Sequence, residues 1–413
     1  MSKLPDRFPT LCGGQNPLYL YQGVSSPATC TEQWMCDHPE LLCQAQQGYI
    51  QAGAAMLAAP TFRLNPAQLE KYALTHEMDD LCQRLIALTR KSAQGKALVG
   101  GCLTSLRMEI APAGDYELEE IYHLYSKQVR TLVSAGADYI LFENMRTMQE
   151  CRMGLLAAKE QCDLPVIISL ALDDDGRTAA DVNPLSALIT LQSMGVSAFG
   201  LNSCPVNEML EYMQELAPHA TVPLYARPNA CLAEEEDEER VCTPLTPQDF
   251  AQWCVRLVEE GVKYLGGGQG ATPEYMAAVS QAFSQHTFTQ PSYLGDTEHF
   301  IATTEKDFFF LDHTVDISPA MECSEDMSEE IIELESDYQY TVAKVGVYHI
   351  DDVDFLAQNY YMFNLPLCIE TSNIAILEAV CRMYCGRLMI ENRGEFDPQM
   401  LQYLVDKYGL IVL

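Results

Sequence analysis

The sequence is short of positive charge: 25 lysines and arginines stand against 58 aspartates and glutamates, a formal net charge of −33. A surface that negative repels a phosphate backbone, so no nucleic-acid partner is expected. No window reaches the roughly 18 consecutive apolar residues that suggest a bilayer span, so no membrane partner is expected either. The opening MSKLPDRFPTL lacks the basic segment and apolar stretch of a secretory signal. The 16 cysteines include no CxxC pair and are scattered at irregular spacing. In a chain of this size that usage predicts reduced, buried thiols rather than disulfides, and a cytoplasmic location. Two acidic runs, EEEDEER (234–240) and ECSEDMSEEIIELESD (322–337), read as a solvated loop and a solvated helix face.

What is present is a rhythm. YIQAGAAMLAAP (49–60), LVSAGADYILFE (132–143), LQSMGVSAFGLN (191–202) and LVEEGVKYLGGG (257–268) each end a helix and enter an apolar strand. Gly53, Gly136, Gly195 and Gly261 stand where a left-handed helix cap is needed. Recurrence of helix, glycine and strand marks βα units around a parallel sheet. Four further strands, FPTLC (8–12), ALVGGCL (97–103), PVIISLAL (165–172) and VPLYARP (222–228), complete a set of eight. The predicted fold class is α/β: a (β/α)8 TIM barrel over 1–285, a linker over 286–300, and a smaller α/β domain over 301–413.

In such a barrel the reactive groups lie at the C-terminal strand ends. Those ends carry Gly13-Gly14-Gln15-Asn16, Pro60-Thr61-Phe62, Cys102 to Ser105, Glu143-Asn144, Asn202-Ser203-Cys204, Arg227-Pro228-Asn229 and the glycines of YLGGGQGATPEY. Glu143 interrupts an apolar run at this face. Its carboxylate could hold an ammonium group or act as a base, or could pair with a neighbouring arginine or backbone amides.

The ordered series GG, AGA…PTF, AGADYILFENM, PVIISLALDDDGRT, GLNS, RPNA and GGGQGATPEY resembles the homocysteine S-methyltransferases across residues 8–285. The resemblance implies homocysteine as substrate and one zinc held by three cysteines, because metal binding turns a weakly nucleophilic thiol into a thiolate. Those ligands would stand at Ser203, Gly268 and Gln269, none of which is a cysteine. Cys204 and Cys102 lie near by, either as replacements if the loop bends or as small apolar fillers. Gly13 replaces an acid and Leu18 a threonine of the family's first-strand motif. The residues that remain in place for substrate are Glu143, aligned with the glutamate that contacts the homocysteine amine, together with Asn202, Gly14, Thr61 and Asn229.

Between PLCIETS and GLIVL, the C-terminal part resembles a fragment of the pterin-binding barrel of methionine synthase, with Glu370 to Asn373 and Glu391-Asn392 at the positions that line its folate site. Half a barrel does not enclose a ligand, so the alternative is a domain that packs on the first barrel or serves an interface.

The resemblance therefore implies methyl transfer to a thiol, with a divergent site in which zinc is not expected and no resident cofactor is expected. A folate or corrinoid methyl donor, an amino-acid or thiol substrate, and a corrinoid or methionine synthase partner protein go with that reading. The alternatives are a non-catalytic binding or scaffold paralogue, and a methyltransferase whose acceptor needs no zinc.

Overall fold

A computed structural model describes residues 3–14, 30–236, 239–296, 300–311, 315–336 and 339–413. Gln15, Asn16 and Leu18 of the first-strand motif lie outside the described residues. The strands are β1 (Thr10–Gly13), β2 (Met56–Ala59), β3 (Leu98–Thr104), β4 (Tyr139–Met145), β5 (Val166–Ala171), β6 (Ala198–Pro205), β7 (Leu224–Asn229), β8 (Cys231–Glu236), β9 (Glu239–Pro244) and β10 (Val262–Leu265). β1 to β7 and β10 close into a parallel barrel in the order β1-β10-β7-β6-β5-β4-β3-β2.

Local signals explain the units. The helix Leu118–Ser134 opens with a capping box between Glu117 and Glu120 and buries Ile121, Tyr125, Val129 and Leu132 on one face. Its Leu132 packs so closely on β3 that a Cβ at Gly101 would stand 2.7 Å from it. Each such side chain contributes about 1.5–3 kcal/mol by leaving water. The four helix-ending glycines, Gly53, Gly136, Gly195 and Gly261, all take positive φ. The last barrel strand stops at Leu265, so the glycines after it form the loop and not the strand.

Two expectations are corrected. The acidic run at 234–240 is no loop: β8 and β9 pair antiparallel from Cys231↔Pro244 to Glu236↔Glu239. Cys231 and Cys242, near the base of that hairpin, form a disulfide. Sequence spacing could not announce it, because antiparallel register is what brings the two cysteines together. The fourteen other cysteines are free, and eleven of them are buried.

The segment after the barrel is pinned to it. Tyr293 donates to the Gly261 carbonyl at 2.7 Å and the Gly295 amide to the Ala220 carbonyl at 3.1 Å. An antiparallel pair, β11 (Phe300–Thr303) and β12 (Phe308–Leu311), follows. Then β13 (Met321–Glu322), β14 (Ala343–Gly346), β15 (Leu367–Glu370), β16 (Met389–Ile390) and β17 (Ile411–Val412) form a parallel sheet in chain order. The second acidic run supplies β13 and the largely exposed helix Ser328–Ser336. At the strand ends of this sheet Glu370 accepts from the Tyr348 hydroxyl at 2.6 Å, Glu391 pairs with Lys344, and Asn373 caps the helix Ile374–Met383.

This second unit packs on the barrel. Arg152, the largest fully buried side chain, reaches from the barrel helix Met148–Gln161 to the Cys381 carbonyl at 2.8 Å. Arg382 pairs with Glu119, and Lys407 with Glu160 at 3.1 Å. No described helix is long and apolar enough to cross a membrane.

Candidate functional site at the barrel mouth

Glu143, near the end of β4, is buried, and its carboxylate pairs with the guanidinium of Arg227 on β7. Arg227 also donates from Nε and Nη2 to the Gly267 carbonyl at 3.1 and 2.8 Å. Burial lowers a guanidinium's pKa, but the charge and hydrogen bond of Glu143, with the nearby Tyr225 and Cys102, together offset it and hold Arg227 above its ordinary value. The loop glycines make room for this arginine: a Cβ at Gly266 would lie 2.9 Å from its Cγ. The other Glu143 oxygen lies 4.0 Å from the Cys102 sulfur. Burial pushes the Cys102 thiol well up, with the Glu143 charge adding to it, and pushes Cys12 up to about 12.

Beside the ion pair runs a network of short polar side chains. The Asn202 amide donates to Asn144 Oδ1 and to Ser203 Oγ, and its oxygen accepts from the Ser169 hydroxyl at 2.8 Å and the Asn144 amide at 3.2 Å. Asn229 donates to the Ser203 carbonyl at 2.9 Å and accepts from the Gln269 backbone amide at 2.8 Å. Thr61 is turned inward, its hydroxyl donating to the Cys102 carbonyl and accepting from the Cys102 amide. Gly14 closes β1 with φ +87°. Asn202 and Asn229 thus belong to one hydrogen-bonded network with Ser203 and Gln269, Glu143 is held in the adjacent ion pair, and Thr61 splices β2 to β3.

The donor set does not fit a thiolate zinc. Gly268 donates to the Pro228 carbonyl, and a Cβ there would meet Asn229 Oδ1 at 2.6 Å and the Arg227 and Pro228 carbonyl oxygens at 2.8 Å. Ser203 is engaged with Asn144 at 3.0 Å. Cys204 is buried with its sulfur 4.0 Å from that of Met209, and burial raises its thiol, which is the filler arrangement. Among the described residues no group of three or more His, Cys, Asp or Glu side chains could hold a metal.

Over this floor opens a cleft of about 980 Å³ lined by Thr104, Asn144 and Ser203 at its base. Neither Glu143 nor Arg227 lines it.

The homocysteine S-methyltransferase family model matches residues 13–283. The chain belongs to the homocysteine S-methyltransferase family. Methionine synthase from Mycobacterium leprae is 24% identical over 270 residues, which cover 62% of this chain and 22% of that protein. Methionine synthase from Mycobacterium tuberculosis is 26% identical over 267 residues, or 61% of this chain and 22% of the relative. The chain therefore spans about a fifth of the length of these relatives. The metallated form of the homocysteine methyltransferase MmuM from Escherichia coli superposes with a TM-score of 0.56 at 20% identity, covering 67% of this chain and 96% of that one. At that identity the likeness establishes the barrel fold.

Arg227 is the residue whose role sequence reasoning missed. The signal was there: it interrupts the apolar strand VPLYA as Glu143 interrupts YILF, and both charges fall at the same end of the barrel, where they meet across its interior although β5 and β6 lie between their strands.

Proposed function

We propose that this chain is a binding member of its family, with no zinc-thiolate methyl transfer to homocysteine. The observation that carries the reading is the Glu143–Arg227 pair: the carboxylate that would anchor a substrate ammonium is already neutralised by a buried guanidinium of the same chain. A second cation would have to displace an arginine that is also fixed to the Gly267 carbonyl. The steric closure at Gly268 supports the same conclusion for the metal. Such a module serves beside a complete methyl-transfer system, with a corrinoid or methionine synthase protein as its expected partner. The open cleft at the reactive face favours one second reading, a methyltransferase for an acceptor that needs no metal activation.

The test is metal content and calorimetry on protein purified under reducing conditions. Zinc well below one equivalent, and no heat on adding homocysteine, is the expected outcome. Stoichiometric zinc with zinc-dependent homocysteine binding overturns the proposal.

A further inference from the structure

The cleft at the barrel mouth carries a feature that family membership does not explain. Arg63, Lys71, Arg107 and Arg146 all line it. No carboxylate among the described residues lies within ion-pair distance of any of the four; Lys71 donates to the Gln68 amide oxygen at 3.2 Å. In a chain where acids outnumber bases by 58 to 25, four cations left unpaired in one cleft are a concentration of scarce charge. Three carboxylates, Glu109, Asp115 and Asp173, stand on the same lining without closing on them.

The cations are held in place by the fold. Glu150, only 1% exposed, accepts from the Leu106 amide at 2.6 Å, and the Arg107 amide donates to the Ser105 hydroxyl oxygen at 3.2 Å, so the loop is clamped at both residues. That clamp holds Arg107 at φ +57°. Asn144 and Ser203 on the cleft floor also take positive φ, so three of the seven described non-glycine residues in this conformation line one cleft. A left-handed backbone at side-chain-bearing residues persists only where the surroundings dictate it, and such positions gather at ligand sites. Arg146 follows the floor residue Asn144 by two positions and directly precedes Thr147, the cap of the helix that carries Glu150.

We propose that this cleft binds a small multivalent anion, a di- or tricarboxylate or a phosphate ester, with Arg107 and Arg146 as its principal contacts. Guanidinium groups suit both classes because each can form two parallel hydrogen bonds to a carboxylate or phosphate. The volume accommodates a ligand of ordinary metabolite size. The proposal deepens the binding-module reading by naming the ligand class.

The experiment titrates the full chain with citrate, inorganic pyrophosphate and, as a monovalent control, acetate, by calorimetry. Citrate or pyrophosphate is expected to bind and acetate not; which of the two binds more tightly identifies the carboxylate or the phosphate class. Arg107→Glu and Arg146→Glu, both at the cleft surface, are each expected to weaken binding by about tenfold or more. Lys91→Glu, at the far end of the barrel, is expected to leave it unchanged, and Arg107→Gln keeps the test valid if charge reversal harms folding. Binding of neither polyanion, or binding that survives both reversals, overturns the proposal. The two proposals fail separately: zinc-dependent homocysteine binding removes the first and leaves an anion site standing, whereas a metal-free chain indifferent to both polyanions does the opposite.

Discussion

Replacing Arg227 with methionine removes the cation and keeps most of the side-chain volume. The side chains of Arg227 and Glu143 are 8% and 6% exposed, so neither charge is left to water when its partner goes. Breaking a buried pair from one side costs about 3–5 kcal/mol. At about 2–4 °C per kcal/mol for domains of this size, the melting temperature should fall by on the order of 10 °C. The two single variants differ in their pH dependence. In Arg227→Met a buried carboxylate is left without its cation, and burial disfavours the charged form of a carboxyl group. A group whose folded value is raised favours the folded state at low pH, and that contribution is lost as pH rises through the raised value. Arg227→Met should therefore be nearer to wild type at pH 5 than at pH 8. Glu143→Gln strands a guanidinium that stays protonated throughout, so its deficit should be flat over the same range. The double variant should lose less than the sum of the singles. Thermal melts of the four proteins at the two pH values measure all of this. Single variants within about 1 kcal/mol of wild type, or parallel pH profiles for both, would refute the view that this pair neutralises the barrel centre.

Restoring cysteines at positions 203, 268 and 269 should not create a zinc site, because Gly268→Cys drives a Cβ into Asn229 and two carbonyl oxygens; stoichiometric zinc in the triple variant, by metal analysis, would show that the loop yields. Alkylation of native protein at pH 8 should spare Cys12 and Cys82, whose thiols burial pushes up to about 12, and peptide mapping without reductant should recover Cys231 joined to Cys242. Rapid labelling of Cys12 or Cys82 in folded protein would contradict the packing.

The barrel was legible because its signals are local. A glycine between helix and apolar run marks four strands, and apolar runs at matching intervals mark the other four, all to within about three residues and without knowledge of any long-range contact. Glu143 was legible as a position, and pairing with an arginine was one of its two expected roles, but the partner that decides between them is 84 residues away in sequence. The hairpin of β8 and β9 was hidden by composition, since a run of glutamates carries no strand propensity and pairing across the turn supplies the structure. β13, two residues at the start of an acidic segment, has no periodicity to detect. The cleft cations were invisible for another reason. Arg63, Arg107 and Arg146 sit on three different loops, and only barrel closure gathers them.

The contact between Arg152 and Cys381 joins residues 229 positions apart in the chain. During synthesis a barrel helix therefore waits for 229 further residues before its largest buried side chain finds a carbonyl to bond. At about 5–20 residues per second, that delay is on the order of ten to fifty seconds. Through that interval the Arg152 guanidinium has its barrel contact, Nε to the Met194 sulfur at 3.4 Å, but not the carbonyl that completes its burial.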